Sequence, residues 1–348
     1  AFGSAADLSV QGLLAASRYG VEWFSWAGLR MATPDPWVLG AFLAGLIALA
    51  QWPRPRNRWR WIVVGLFLAT MSVWTEAVGR DAGPTLDTVF FDVGQGGATL
   101  VSTPSGRHVL VDTGPWSPEG GAAEFTILPY LERWGIRRLH TVVITHPDED
   151  HLGGLPTLLR EVSVGRVVHN GWSADTELYA ETQRLLEQGE VPQRAVRRGD
   201  TLSLDSAVRL QVLSPPQHPS RYGIDDRNEA SVVLRLEYGG IDGLLPGDIE
   251  AAAERNLVRT YGEQLESRVV KIPHHGSSTS STPEFVRAAS GRGGFAVVSV
   301  GRGDQYGMPS ERVVSRWGSH QMNVRSTAEG GAVWVRTDGK RVWVVGWK

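Results

Sequence analysis

Within positions 146–151 four side chains are able to ligate a metal ion: His146, Asp148, Asp150 and His151, in the run Thr145-His146-Pro147-Asp148-Glu149-Asp150-His151-Leu152-Gly153-Gly154. Imidazole nitrogens and carboxylate oxygens are the donors that divalent cations take in hydrolytic centres. A lone His or Asp is ordinarily structural or solvated. Two of each at this spacing, directly after a β-branched run, point to a metal site instead. Thr141-Val142-Val143-Ile144 reads as a short buried strand, and residues 152–160 as the start of a helix. The ligands therefore fall on a tight strand-to-helix turn, where one loop aims several side chains at one point.

Three other places carry matching chemistry. Lys271-Ile272-Pro273-His274-His275-Gly276-Ser277-Ser278 sets two adjacent His at a strand end, followed by Gly and hydroxyl residues. One His can ligate while the other orients it or meets substrate. Leu245-Pro246-Gly247-Asp248 puts a carboxylate just after a strand, and Asp248 is suited to bridge two ions, although alone it would be a turn residue. Val111-Asp112-Thr113-Gly114 ends a strand at a Gly turn, where Asp112 is either a carboxylate behind the ligands or a cap. His108, His140, His169, His218 and His320 lack such settings and read as structural or exposed.

The set is chemically coherent. Two ions about 3.5–4 Å apart activate a water and clamp both oxygens of an in-line displacement. Asp148, Asp150 and Asp248 offset only part of the four positive charges of such a pair, so an anionic phosphate is attracted to the remainder. Oxygen-rich ligation favours Mn²⁺ or Mg²⁺ more than an all-imidazole site does, with Zn²⁺ also accommodated.

The elements that must position these residues follow from the rest of the chain. Its 348 residues suffice for one large domain and an accessory part. With 42% hydrophobic and 21% charged residues it is a folding sequence, and a net charge of −2 excludes a global basic field. Any nucleic-acid contact must be local; Arg194, Arg197, Arg198, Arg221 and Arg227 are the candidates. The absence of cysteine excludes disulfides and thiolate sites. The first residue is Ala1 and no signal-peptide pattern precedes it, which suggests a fragment of a longer protein.

Residues 13–31 read as a helix with one apolar face. Segments 37–52 and 61–74 carry no charge, and their ends hold Trp37, Trp52, Trp61 and Trp74, with Trp59 between the segments. Each spans about 21–24 Å, short of the roughly 30 Å hydrocarbon core, but interfacial tryptophans and the four arginines of the connector 53–60 favour a transmembrane hairpin. The positive-inside tendency places that connector in the cytoplasm and everything after residue 80 outside it.

Beyond the turn at 80–84, short strands are expected at 87–91, 98–102, 108–111, 141–144, 162–169, 208–213, 231–238, 268–272 and 295–300. Helices are expected at 125–134, 152–160, 174–188, 249–261 and 283–289, and a final pair of strands around Asp338-Gly339. This order predicts an α/β domain with two sheets between helices.

His146-x-Asp148-x-Asp150-His151 with Gly153-Gly154 resembles the metallo-β-lactamase-fold signature in its HxDxDH variant. Phe91-Asp92-Val93-Gly94-Gln95-Gly96, Val111-Asp112-Thr113-Gly114, Asn228-Glu229-Ala230-Ser231, Gly247-Asp248, Pro273-His274-His275-Gly276-Ser277 and Tyr306-Gly307-x-Pro309 occur in the order seen in the C-terminal domain of ComEC-type competence proteins, the DNA-uptake channels of transformable bacteria. The resemblance covers about residues 86–347, and the apolar pair before it is similar to the end of that family's membrane domain. It implies an αββα sandwich over 84–348, preceded by a helical membrane segment over 1–80.

It further implies a two-metal hydrolase, Mn²⁺ favoured, acting on the phosphodiester backbone of DNA and degrading the strand that is not transported. The partners implied are DNA, the bacterial membrane and the other uptake components. By the same resemblance His146 and Asp148 hold one ion, and Asp150 and His151 the other. Asp248 bridges, and His274 or His275 completes the set. Asp150 or Asp248 orients the attacking hydroxide. Asp92, Asp112, Asn228, Lys271, Ser277 and Tyr306 stand behind the ligands or against substrate.

The sequence departs from the family pattern at Gly97, where an Asp is expected, and at Met308, where a His is expected. A third-motif His before Asp248 is absent, with Asn228 in that region. These departures support an alternative: a DNA-binding gate with weakened catalysis. A third reading is another hydrolase of the same fold.

Overall fold

The computed structural model describes residue 65 and residues 84–303 and 306–346. Its first half runs β1 (Leu86–Phe90), β2 (Thr99–Ser102), β3 (His108–Val111), α1 (Leu128–Arg133, led by a π-helical turn over Ala123–Ile127), β4 (Arg138–Leu139), β5 (Thr141–Ile144), α2 (Glu149–Leu152), α3 (Leu155–Glu161), β6 (Ser163–Val164), β7 (Val167–His169), α4 (Glu177–Gln188) and β8 (Gln193–Ala195). The second half runs β9 (Thr201–Ser203), β10 (Val208–Ser214), β11 (Val233–Tyr238), β12 (Ile241–Leu245), α5 (Ala251–Tyr261), β13 (Ser267–Lys271), α6 (Pro283–Ala289), β14 (Ser290–Val298), α7 (Glu311–Ser319), β15 (Asn323–Ser326) and α8 (Thr327–Gly330). The hairpin β16 (Val333–Thr337) and β17 (Val342–Val345) ends it.

Side-chain alternation with period two sorts these strands into layers. Phe90, Val101, Val109, Val111 and Val143 face one way and meet Val212, Leu234, Leu245, Val269 and Val297 in a core between two sheets. Their neighbours Val89, Leu100, Leu110, Val142 and Ile144 face the other way, onto α1, α3 and α4. Leu213, Val233, Leu244, Val270 and Ala296 do the same on the far side, against α5, α6 and α7. Both faces of both sheets are thus covered, which is why the strands read as continuous apolar runs. The eight-stranded sheet has the order β17-β16-β1-β2-β3-β5-β7-β8 and the seven-stranded sheet β15-β14-β13-β12-β11-β10-β9. The result is the αββα sandwich.

The sequence expectations need several adjustments. The helix expected at 152–160 begins at Leu155 as α3, after the separate short α2; Gly153 and Gly154 lie between them, where a side chain at either would strike the backbone of the 113–116 loop. The strand expected at 162–169 is split around Gly165 into β6 and β7. The helix expected from 174 begins at Glu177, where the Thr176 hydroxyl accepts the Tyr179 N–H as a cap. No helix among the described residues is long and apolar enough to cross a membrane. The expected amphipathic helix and the hairpin segments 37–52 and 61–74 lie, Gly65 apart, outside the described residues.

Candidate metal centre

The parallel strands of both sheets point their C-terminal ends at one edge of the sandwich. β3 pairs parallel with β5 in the first sheet, and β12 with β13 in the second. Beyond β3 comes Asp112, beyond β5 the 145–151 turn, beyond β12 Asp248, and beyond β13 His274 and His275. Ligands gathered outside the carboxyl ends of strands are the general site of open α/β sheets. Asp112, His274 and His275 all adopt left-handed backbone with φ of 60°, 47° and 53°, a conformation uncommon for non-glycine residues.

Four side chains converge. Asp150, His151, Asp248 and His275 each offer a ligand atom, all within 4.8 Å of one another. His151 Nε2 lies 3.2 Å from Asp248 Oδ2 and 3.3 Å from His275 Nε2. His275 Nε2 is 3.0 Å from Asp248 Oδ2 and 3.5 Å from Asp150 Oδ2.

The far side of each ring fixes its tautomer. His151 Nδ1 donates to Asp112 Oδ2 at 2.8 Å, and His275 Nδ1 donates to the carbonyl of Ser299 at 2.8 Å. Both acceptors lack a proton to give, so the protons sit on Nδ1 and both Nε2 lone pairs face inward. His146 follows the same logic. The Thr145 hydroxyl donates its one proton to Asp112 Oδ2 at 2.9 Å, so at 3.0 Å from His146 Nδ1 it is the acceptor. Buried imidazoles that aim lone pairs at one another and at carboxylates form a cation site, and a divalent ion fits this donor set.

The carboxylates around the rings favour positive charge at this point, carried by a proton on Nε2 or by a cation in its place. Burial disfavours the charged form of His151, but Asp248, Asp112 and Asp150 outweigh it and hold its pKa well above the ordinary value. His275 is raised in the same balance, burial opposed chiefly by Asp248 and Asp150. Burial pushes Asp248 up, yet His151, His275 and Lys271 hold its carboxyl well below the usual range. Burial likewise opposes the ionisation of Asp150, and His151 and His275 overcome it. His146, with burial and the His151 charge acting together, is pushed down to about 3. Lys271 is buried with Nζ 3.5 Å from Asp248 Oδ1, an ion pair without hydrogen-bond geometry.

Other expected residues lie elsewhere. His274 is not in the cluster: the left-handed turn swings it outward, and its Nδ1 pairs with Glu250 Oε1 at 2.9 Å. His146 and Asp148 stand together, Nε2 to Oδ2 at 3.8 Å, beside rather than within the four-ligand group. Asp112 takes the position behind the ligands. Asn228 uses its carbonyl to accept the Ser231 N–H, and Asp92 its carbonyl to accept the Thr126 hydroxyl. Ser277 pairs with the Thr279 hydroxyl, and Tyr306 is exposed.

The arginine patch is mostly framework. Arg197 donates to the carbonyls of Asn170 and Val196, and Arg198 to that of Leu213 and to the Asn256 side chain. Arg194 pairs with Asp200, while Arg227 reaches the centre, Nη1 to Asp148 Oδ1 at 3.0 Å.

Gly97 has a physical reason to be small. A methyl group there would lie 2.9 Å from His151 Cε1 and 3.3 Å from Asp112 Oδ2. Met308 accepts a long contact from the Gln95 amide, Nε2 to Sδ at 3.7 Å, and Pro309 packs on Gly276 beside His275.

Two contributors escaped the sequence reading. Thr145 bridges Asp112 and His146 through one hydroxyl, and Glu250 Oε1 stands 2.9 Å from His274 Nδ1 without hydrogen-bond geometry. Each sits within two residues of an expected ligand, which is the signal that was available.

Residues 91–299 match the metallo-beta-lactamase superfamily model. The chain is 28% identical over 323 residues to ComE operon protein 3 of Bacillus subtilis, covering 88% of this chain and 40% of that one. It is 33% identical over 303 residues to competence protein ComA of Neisseria gonorrhoeae, covering 87% and 39%. It is 32% identical over 253 residues to recombination protein 2 of Haemophilus influenzae, covering 72% and 29%. The chain thus spans two fifths or less of the length of these relatives. With its αββα layers and its ligands at the strand ends, the chain belongs to the metallo-beta-lactamase superfamily, as a homologue of competence proteins of the ComEC family.

Proposed function

We propose that this chain hydrolyses phosphodiester bonds of DNA with divalent metal ions, degrading the strand that does not enter the cell during natural competence. The observation that carries the reading is the convergence of Asp150, His151, Asp248 and His275 with both imidazole lone pairs turned inward. Competence relatives supply the substrate class.

These four residues would hold one ion, with His146 and Asp148 beside them for another. Two imidazoles and two carboxylates favour Mn²⁺ and also accommodate Zn²⁺ or Mg²⁺. When bound, the metal supplies Lewis-acid polarisation of phosphoryl oxygen and a water ionised near neutral pH. The protein supplies the rest. Asp150, a carboxylate at neutral pH, accepts a hydrogen bond from the attacking water and orients it. Asp248 stays charged beside Lys271. Asp112 holds the His151 ring in its tautomer.

The remainder of the reading rests on sequence. Residues 1–80 form the end of a helical membrane domain with a hairpin over 37–52 and 61–74, and residues 84–348 form the hydrolase domain outside the cytoplasm. The membrane and the other uptake components are its partners. Protease treatment of intact cells should cleave the hydrolase domain; its complete protection would overturn this topology.

The decisive assay is cleavage of single-stranded DNA with Mn²⁺, lost in Asp150→Ala. A folded, metal-loaded protein inert on all DNA overturns the nuclease reading. Tight DNA binding without turnover would instead favour the gate, a reading that Met308 in place of His motivates.

A further inference from the structure

The His146–Asp148 pair is half of a metal site. Its two donor atoms are 3.8 Å apart, within the span of about 4.2 Å that two bonds near 2.1 Å can cover. His146 is buried, and its Nδ1 proton is committed to the Thr145 hydroxyl, so the Nε2 lone pair faces Asp148. Yet the one group of three or more His, Asp and Glu ligands within 4.8 Å of each other, among the described residues, excludes both. Ser231, whose Oγ lies 3.4 Å from the His146 ring and accepts the Asp248 N–H, offers no strong donor here. Two side chains from a single turn do not hold a divalent ion tightly; further oxygens must come from outside the protein.

Arg227 indicates which oxygens. Its guanidinium lies 3.0 Å from Asp148 Oδ1, which leaves Oδ2 directed at His146. The Oδ1 atom is buried without a hydrogen bond, and the arginine side chain is 40% exposed. A cation on a partly exposed side chain next to an incomplete ion site suits a phosphate, whose oxygens bridge metal and guanidinium.

Resting on the hydrolase reading, we propose that His146 and Asp148 form a half-site that takes a second divalent cation only together with a phosphate-bearing ligand, and that Arg227 binds that same phosphate. The resting centre holds one ion, in the Asp150, His151, Asp248 and His275 group. Binding of phosphate and of the second ion are then reciprocally coupled, each tightening the other by the same factor.

Counting bound Mn²⁺ per full-length chain by equilibrium dialysis, with electron paramagnetic resonance, tests this. Thymidine 5′-monophosphate serves as the phosphate probe. The expected result is one Mn²⁺ alone and two with saturating nucleotide, the pair showing a spin-coupled signal. Asp148→Ala should keep the first Mn²⁺, which also reports that it is folded, and never gain the second. Arg227→Gln should weaken nucleotide binding about 10-fold or more, as expected for loss of a charge-assisted contact, and raise the nucleotide concentration at which the second ion appears. Two ions without nucleotide, one ion at every nucleotide concentration, or no ion at all each overturn the proposal. DNA cleavage with a count fixed at one would sink this inference and leave the hydrolase reading standing. A count moving from one to two in a protein that cleaves no DNA would do the reverse.

Discussion

The carboxylate of Asp112 lies 2.8 Å from Nδ1 of His151, and it holds that contact while accepting both the backbone N–H and the hydroxyl of Thr145, at 2.7 and 2.9 Å. Three donors on one buried carboxylate fix its position. Through His151 directly, and through Thr145 to His146, that single group sets the tautomer of two rings.

Asp112→Asn should therefore weaken metal binding about 10–100-fold, the range seen when such supporting groups are removed. The new amide would turn a donor toward a donor, and His151 would relieve the clash by moving its proton to the face that should ligate. Mn²⁺ affinity measured by competition with a chelator checks this. Unchanged affinity would show that the tautomer is set elsewhere.

His275 and His274 should separate cleanly. His275→Ala removes one of four converging donors and should lower metal affinity by at least about 100-fold. His274→Ala breaks only the pair with Glu250 and should leave bound metal unchanged. Metal content of the two purified variants decides it; equal losses would contradict the geometry.

Glu254 should make stability depend on pH. It is fully buried, and its carboxylate accepts the N–H groups of Ser281 and Thr282 at 2.5 and 2.7 Å, at the start of α6. Burial outweighs those bonds and raises its pKa from 4.5 to about 7. A raised carboxyl pKa means that the folded state binds the proton more tightly. Its contribution is full below about 4.5 and is lost as pH rises through about 7, a change of about 3 kcal/mol. Glu254→Gln should flatten that slope. Thermal unfolding of both proteins in chelator between pH 4.5 and 8 measures the difference, and parallel curves would remove Glu254 as the cause.

Met308→His should raise DNA cleavage by about 10-fold or more if a proton donor there assists the leaving group. The side chain lies beside Gln95, and Pro309 touches the Gly276 turn, so the position is next to His275. A rate equal to that of the parent would show that position 308 takes no part in the chemistry.

Much of this was legible because it is local. The apolar strands from Val109 to Ile144 and from Val233 to Val298 announce themselves by β-branched runs, and the 146–151 turn by ligand spacing. Three of the four edge strands of the two large sheets were not legible: Gln193–Ala195, Thr201–Ser203 and Asn323–Ser326 are largely polar, with only Leu202 and Val324 reaching the cores. Nor was the choice between His274 and His275, which depends on two left-handed residues, φ 47° and 53°, that reverse the chain. Asp112 meets His151 across 39 positions, a contact that tertiary folding alone creates. Glu229 looked unremarkable in sequence, yet its carboxylate accepts the N–H groups of Glu250, Ala252 and Ala253 and so seats the helix after Asp248.

The ligands are split between the two sheets: Asp150 and His151 follow β5, and Asp248 and His275 follow β12 and β13. Neither half of the chain carries a complete centre. During synthesis, and in any partly unfolded state, the residues that would cut a nucleic acid are separate and inert. The docking of one sheet on the other acts as a safety catch, so that the proposed nuclease would be armed only once it has finished folding.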